Sequence, residues 1–245
     1  HILCHGDSTG VIELTASGAT PPYRYKLGTG PLTPTNIFTN LPAGTFNFHI
    51  EDTNKCYLDT AIVLNQPDSL IMPAVITRPL CNGDNNGVIT INAAGGKPTY
   101  TYAIGTGAFG STNTFTALSA GTYTFRVKDD NDCIKDTTIL LTQPPVLSIG
   151  SLVVTNPKCF NVADGIIVFN AAGGTPNYTY KIGTGAFTAN NTFTGLGPNT
   201  YTVTVRDDNG CEKDTTVTLV QPTAIIPSVD ILRSTCVPLN NGTIT

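Results

Sequence analysis

The chain has 245 residues, and only 12% of them are charged (13 Lys or Arg, 17 Asp or Glu), against roughly 25% in ordinary soluble domains. A net charge of −4 gives no basic footprint for nucleic acid or an anionic membrane, and no apolar run approaches the ~18–20 residues needed to span a bilayer. Hydrophobic content of 40% is too high for simple disorder, and 24 Gly, 17 Pro and 40 Thr point to short strands and many turns.

From the N-terminus, Cys4 is followed by Gly10, Pro21, Tyr23/Tyr25, Gly28-Thr-Gly30, Phe38, Leu41, Asp52, Cys56 and Gln66-Pro67. The series restarts at Cys81 with Gly87, Pro98, Tyr100/Tyr102, Gly105-Thr-Gly107, Phe115, Leu118, Asp129, Cys133 and Gln143-Pro144. It runs a third time from Cys159 through Gly165, Pro176, Tyr178/Tyr180, Gly183-Thr-Gly185, Phe193, Leu196, Asp207, Cys211 and Gln221-Pro222, and opens again at Cys236 and Gly242. First cysteines advance by 77, 78 and 77 residues, and each second cysteine follows its first by 52. This is an internal repeat. We expect an N-terminally truncated repeat 1 over 1–67, repeat 2 over 68–144, repeat 3 over 145–222 and the truncated start of repeat 4 over 223–245.

Within a repeat the pattern is β throughout. In repeat 3, Gly165–Ala172 is apolar and β-branched, Tyr178–Ile182 alternates and breaks at Gly183-Thr-Gly185, and Thr200–Val205 alternates at period two. Asp207–Gly210 supplies a turn, and Thr215–Val220 returns. The run Leu118-Ser-Ala-Gly-Thr-Tyr123 resembles the tyrosine corner of immunoglobulin-like sandwiches. The expected fold is all-β, a tandem array of small immunoglobulin-like antiparallel β-sandwiches of about 77 residues, with one disulfide per repeat. Gln-Pro ends the last strand of each repeat. The linkers are therefore short and stiff, and the array is expected to be an extended rod.

A fold below ~80 residues usually needs a staple. Pairing within repeats (Cys4–Cys56, Cys81–Cys133, Cys159–Cys211) leaves Cys236 without a partner in this stretch. Pairing across each linker (Cys56–Cys81, Cys133–Cys159, Cys211–Cys236) leaves Cys4 over. Spacing alone does not fix connectivity. The within-repeat scheme is favoured, because the strands on either side of a linker would carry its two sulfurs apart. Regular disulfides imply an oxidising, extracellular location.

The pattern Cys81-Asn-Gly-Asp … Gly87-Val-Ile … Gly95-Gly-Lys-Pro98-x-Tyr-x-Tyr102 … Gly121-Thr-Tyr123 … Asp129 … Cys133 … Gln143-Pro144 resembles the SprB repeat, found in very large cell-surface proteins of the Bacteroidota, gliding-motility adhesins among them. Repeat 3 departs at Cys159-Phe-Asn-Val, and Asn199 replaces a glycine there. The resemblance implies export by the type IX pathway, display on the outer membrane of a Gram-negative bacterium, and a stalk or adhesin role. Surface polysaccharide, solid surfaces and further copies of the repeat are the expected partners. Multivalent carbohydrate-binding modules and a self-associating structural fibre are the alternatives.

The candidate sites are few. If Cys81 and Cys133 were bonded, Asp84 would lie beside Asp129, Asp130 and Asp132, and these oxygens could hold Ca²⁺, the one cofactor considered; Asp, Asn and Gly are equally ordinary turn residues. The tyrosine pairs read as core with their hydroxyls bonded at the rim, rather than as sugar-stacking platforms. The Gly-Thr-Gly triplets read as turns. Histidines occur only at positions 1, 5 and 49, and no catalytic set recurs with the repeat, so no enzyme is expected. Thr60, Thr137 and Thr215 stand in Asp-Thr-x triplets similar to a bacterial O-glycosylation acceptor.

Overall fold

A computed structural model of the protein describes residues 1–231; Cys236 and the rest of the expected fourth repeat lie outside the described residues. The described residues form strands, turns and loops, with no helix. They fall into two compact units, one made of residues 1–79 and 83–143, the other of 80–82 and the chain from Pro144 onward.

In repeat 1, β1 (Gly10–Glu13) pairs with β3 (Ile37–Leu41), and β4 (Gly44–Glu51) lies between β2 (Arg24–Leu27) and β5 (Tyr57–Leu64). Repeat 2 has two three-stranded sheets. One orders β6 (Ala74–Thr77), β7 (Gly87–Ile91) and β9 (Thr114–Leu118); the other orders β8 (Thr101–Ile104), β10 (Gly121–Lys128) and β11 (Ile134–Leu141). Repeat 3 repeats this arrangement. Here β12 (Ser148–Thr155), β13 (Gly165–Ala172) and β15 (Thr192–Leu196) form one sheet, and β14 (Thr179–Ile182), β16 (Thr200–Arg206) and β17 (Glu212–Thr218) form the other. All strand pairs are antiparallel.

The alternation read from sequence places one apolar row per strand between the sheets. In repeat 2, Ile89 and Ile91 of β7 meet Phe125 and Val127 of β10 and Leu141 of β11, all fully buried. Separate cores form around Phe48 in repeat 1 and around Ile167, Phe169 and Val203 in repeat 3. The tyrosines behave as core with polar tips. Tyr25 and Tyr180 are buried, Tyr102 is half-buried, and the hydroxyls of Tyr23, Tyr100 and Tyr178 donate to the carbonyls of Gly18, Gly95 and Gly173. The tyrosine corner is present: Tyr123 donates to the Ser119 carbonyl at 2.9 Å and Tyr201 to Gly197 at 3.0 Å.

The structure overturns the expected disulfide scheme. The bonds are Cys4–Cys133, with Cα atoms 5.6 Å apart, and Cys81–Cys211, at 5.7 Å; Cys56 and Cys159 are free and exposed. Neither Cys4–Cys56, Cys81–Cys133 and Cys159–Cys211 nor pairing across one linker is realised. The reason lies in strand length. Cys4 precedes β1, whose Gly10 sits opposite Leu41, next to the start of β4 at Gly44. Cys56 sits in the turn after the far end of β4, beside Glu51. An eight-residue strand at ~3.3 Å per residue holds the two about 25 Å apart, far beyond the ~7 Å that a disulfide spans between Cα atoms.

Candidate functional site: the cysteine bridge between repeats

Each bridge joins two pre-shaped pieces, and the first is the turn bearing the second cysteine. Asp129 is buried, and its carboxylate accepts N–H bonds from Lys97 at 2.8 Å and from Asn131 and Cys133 at 2.9 Å each. Asp207 does the same for Thr175, Asn209 and Cys211 at 2.9–3.0 Å. Asp52 accepts from Thr20 at 3.2 Å and Cys56 at 2.8 Å. A buried carboxylate left without such donors would be costly, so these bonds fix the turn and the cysteine in it. The backbone closes identically, with Asp52, Asp129 and Asp207 each donating N–H to the carbonyl of its cysteine at 3.0 Å.

The second piece is the loop bearing the first cysteine. Two residues beyond that cysteine, the N–H of Gly6, Gly83 and Asn161 donates to the side-chain oxygen of Gln66, Gln143 and Gln221 at 2.7, 2.8 and 2.7 Å. The Gln-Pro dipeptide therefore does more than end a strand: its amide holds the cysteine loop of its own repeat. The loop residue has positive φ in each case (85°, 86° and 54°). Asn161 fills this position without glycine, because asparagine tolerates the left-handed region. The departure of repeat 3 thus leaves the loop intact.

In the first compact unit these pieces meet at the linker between repeats 1 and 2. Gly96 donates N–H to the Asp68 carbonyl at 2.8 Å, and Ile71 and Ala94 exchange backbone bonds at 2.8 and 3.1 Å. Gly95 has φ +78°, and a Cβ there would lie 2.0 Å from the Ser69 carbonyl oxygen, so glycine is required. Leu70 enters the repeat 2 core. Alongside, Asn131 donates its side-chain amide to the Leu3 carbonyl at 2.8 Å, next to the Cys4–Cys133 bond, and the His5 ring lies 3.0 Å from the Pro67 carbonyl. The second unit holds the same set: Asn209 donates to the Leu80 carbonyl at 2.8 Å, Asn82 to the Pro144 carbonyl at 2.9 Å, and Leu147 is buried. The linking role of the asparagines escaped the sequence reading, and the Gln-Pro glutamines were read there only as strand ends; the fixed offset of both from the cysteines is a usable signal.

The proposed Ca²⁺ ligands are not assembled. Asp129 spends both oxygens on N–H groups, Asp130 pairs with Lys97 at 2.7 Å, Asp132 with Lys128 at 2.7 Å, and Asp84 accepts from Asn86 at 3.2 Å. Asp130 holds the Lys97 ammonium above its ordinary pKa, chiefly through that hydrogen bond. Among the described residues no group of three or more His, Cys, Asp or Glu is placed for a metal. Cys133 faces Cys4, so the loop opposite Asp129 is that of His5 to Asp7 rather than Asp84.

Thr60, Thr137 and Thr215 lie on β5, β11 and β17, in register with Phe48, Phe125 and Val203; Thr215 is exposed and the other two are half-buried. On the opposite sheet face, Lys26, His49 and Asp59 line a shallow hollow of about 430 Å³, with His49 and Asp59 2.6 Å apart. Repeat 2 has Ala103, Arg126 and Asp136 in that row, whereas repeat 3 keeps the lysine and the aspartate as Lys181 and Asp214, with Thr204 in the histidine's place, around a matching hollow of about 530 Å³.

The family model of the SprB repeat matches residues 2–32, 74–109 and 151–187. Three stretches of the chain, one in each repeat, thus match the SprB repeat. Each match covers the stretch from just before the first cysteine, or from the strand ahead of it, to the turn near the Gly-Thr-Gly triplet. No curated protein matches the chain. Among solved structures, this chain is similar to the N-terminal eight Ig domains of Down Syndrome Cell Adhesion Molecule isoform 1.30.30 (11% identity, 91% of this chain and 36% of that one, TM-score 0.41). It is also similar to Sidekick-1 immunoglobulin domains 1–5 (12%, 90% and 57%, 0.36) and the S-layer protein rSbsC(31-844) (11%, 86% and 36%, 0.32). The chain thus spans 36% and 57% of the first two.

Proposed function

We propose that this chain is a non-enzymatic stretch of a long exported repeat array that acts as a cell-surface stalk or adhesin. The observation that carries the reading is the Cys4–Cys133 bond across the linker of repeats 1 and 2. A single-chain linker is ordinarily the hinge between two domains. Here a second covalent connection runs beside it, and Gln66, Asn131 and the buried Leu70 fix its surroundings. Such a junction resists bending and pulling, which a stalk requires and a catalyst does not. Disulfides of this kind belong to an oxidising exterior, and the SprB match supports a surface array.

The finer reading follows the SprB likeness: a gliding-type adhesin, exported by the type IX pathway to the outer membrane, whose partners are surface polysaccharide or solid surfaces. Exposed Thr215 is its best-placed site for an attached glycan. Antibodies raised against the chain should label intact, unpermeabilised cells that produce it, and protease shaving should remove the label. Labelling only after permeabilisation would refute surface display. Beads coated with the chain should hold to glass or polysaccharide under flow; a stalk without adhesive surface would release them.

A further inference from the structure

The outer face of the sheets β2-β4-β5, β8-β10-β11 and β14-β16-β17 carries a row of three residues, one from each strand. The row is Lys26, His49 and Asp59 in repeat 1, and Lys181, Thr204 and Asp214 in repeat 3. Adjacent strands lie ~4.8 Å apart, so the backbones of the lysine and the aspartate in a row stand about 10 Å apart. Among the described residues, no ion pair joins Lys26 to Asp59 or Lys181 to Asp214. Instead the face is open between them, as hollows of about 430 and 530 Å³. Repeat 2 lacks both features: Ala103 offers no ammonium, and Arg126 occupies the middle of the row and meets Asp136 at 3.3 Å.

The hollows have polar floors and rims of opposite charge. His49 is held 2.6 Å from Asp59, Thr204 is only 6% exposed, and the Lys181 ammonium lies over the Phe187 ring, 4.4 Å from its centre. One rim donates hydrogen bonds and the other accepts them. An anion would meet the aspartate and a cation the lysine. A neutral ligand with neighbouring hydroxyls accepts from the ammonium and donates to the carboxylate at once. Both volumes fall within the ~300–1,000 Å³ of small-ligand sites.

Repeat 1 adds an aromatic platform. Tyr57 stacks on His49 with ring centres 5.1 Å apart, yet it is 67% exposed, so its other face is open. Such a face packs well against the C–H groups of a sugar ring. Glu212 holds this position in repeat 3. Neighbouring repeats leave the face uncovered: repeat 2 has a repeat before and after it, and its Asp136 and Ile134 stay 56% and 49% exposed.

We infer that repeats 1 and 3 each bind a neutral, hydroxyl-rich glycan on this face, through Lys26 and Asp59 beside Tyr57 and through Lys181 and Asp214, and that repeat 2 does not. The inference rests on the polysaccharide-contacting adhesin proposed above and gives that contact a place.

The test is native electrophoresis of the oxidised full chain in gels containing dextran, soluble starch or galactomannan, with alginate as the acidic comparison. At least one neutral polysaccharide should retard the chain, and alginate should not. Asp59→Ala combined with Asp214→Ala should raise the apparent Kd about tenfold, since each change removes a charged acceptor. Tyr57→Ala should raise it about threefold. All three side chains are exposed, so the melting temperature should not move. His49→Arg with Thr204→Arg, which copies the arginine of repeat 2, is an independent way to close both hollows and should abolish retardation. Unchanged retardation in these variants would overturn the assigned site while leaving the adhesin reading in place. Retardation by no neutral polysaccharide, or by alginate as strongly, would overturn the inference itself, and the flow assay with coated beads then decides the adhesin reading separately.

Discussion

The bridges Cys4–Cys133 and Cys81–Cys211 overlap along the chain, and their overlap has a mechanical signature that other pairings lack. Between His1 and Ile231 the backbone path is 230 residues. One bridge alone shortens the covalent path to about 101 residues (Cys4–Cys133) or about 100 (Cys81–Cys211); with both, the path crosses to Cys133, runs back to Cys81 and crosses to Cys211, about 75 residues and two bridges. Removing either bridge by Cys4→Ser or Cys81→Ser should therefore add about 25 residues of extended path, or ~85 Å. Removing both should release about 150 residues, or ~530 Å at ~3.5 Å each. Single-molecule pulling from handles at the two ends would read these lengths directly. Within-repeat pairs would each hide 52 residues, so every single Cys→Ser change would then add ~180 Å. A gain of ~180 Å on the first substitution would refute the overlapping scheme.

Asp129→Ala should cost about 4 kcal/mol in denaturant unfolding, because three N–H groups lose their acceptor together; Asp129→Asn, which keeps one oxygen, should cost about half as much. A chelator should leave the melting temperature unchanged, since the Asp129 oxygens are already engaged. Gly95→Ala should destabilise far more than Gly18→Ala: both have positive φ, yet a Cβ at Gly95 strikes the Ser69 carbonyl while one at Gly18 meets open space. Thermal melts should show about 1 kcal/mol for Gly18→Ala and at least twice that for Gly95→Ala. Gln66→Ala should free the Cys4 loop and raise the reduction potential of Cys4–Cys133 by ~20 mV, about 1 kcal/mol, in a glutathione titration.

The repeat, the strands and the aromatic core were legible because each is a local pattern. Gly165–Ala172 reads as a strand from its β-branched run and is one, and Tyr123 announces its corner four residues ahead. Bridge connectivity is not local. A spacing of 52 within a repeat is no more regular than the separations of 129 and 130 that the bonds adopt, so periodicity cannot choose between them. The choice turns on which end of an eight-residue strand each cysteine occupies, a matter of three-dimensional distance. The Ca²⁺ reading failed with the pairing it assumed, because Asp84 faced Asp129 only if Cys81 met Cys133. What Asp129 does, gathering N–H donors from Lys97, Asn131 and Cys133, depends on a loop 32 residues away in sequence.

Overlap also bears on survival in a protease-rich exterior. Exposed linkers between domains are the usual places where a protease cuts, and in a chain stapled only inside its repeats a cut at residue 68 would divide the molecule. With Cys4–Cys133 and Cys81–Cys211 in place, any one peptide bond between Cys4 and Cys211 can be hydrolysed and both fragments stay attached through a sulfur–sulfur bond. A filament built this way would shed nothing after a first wound.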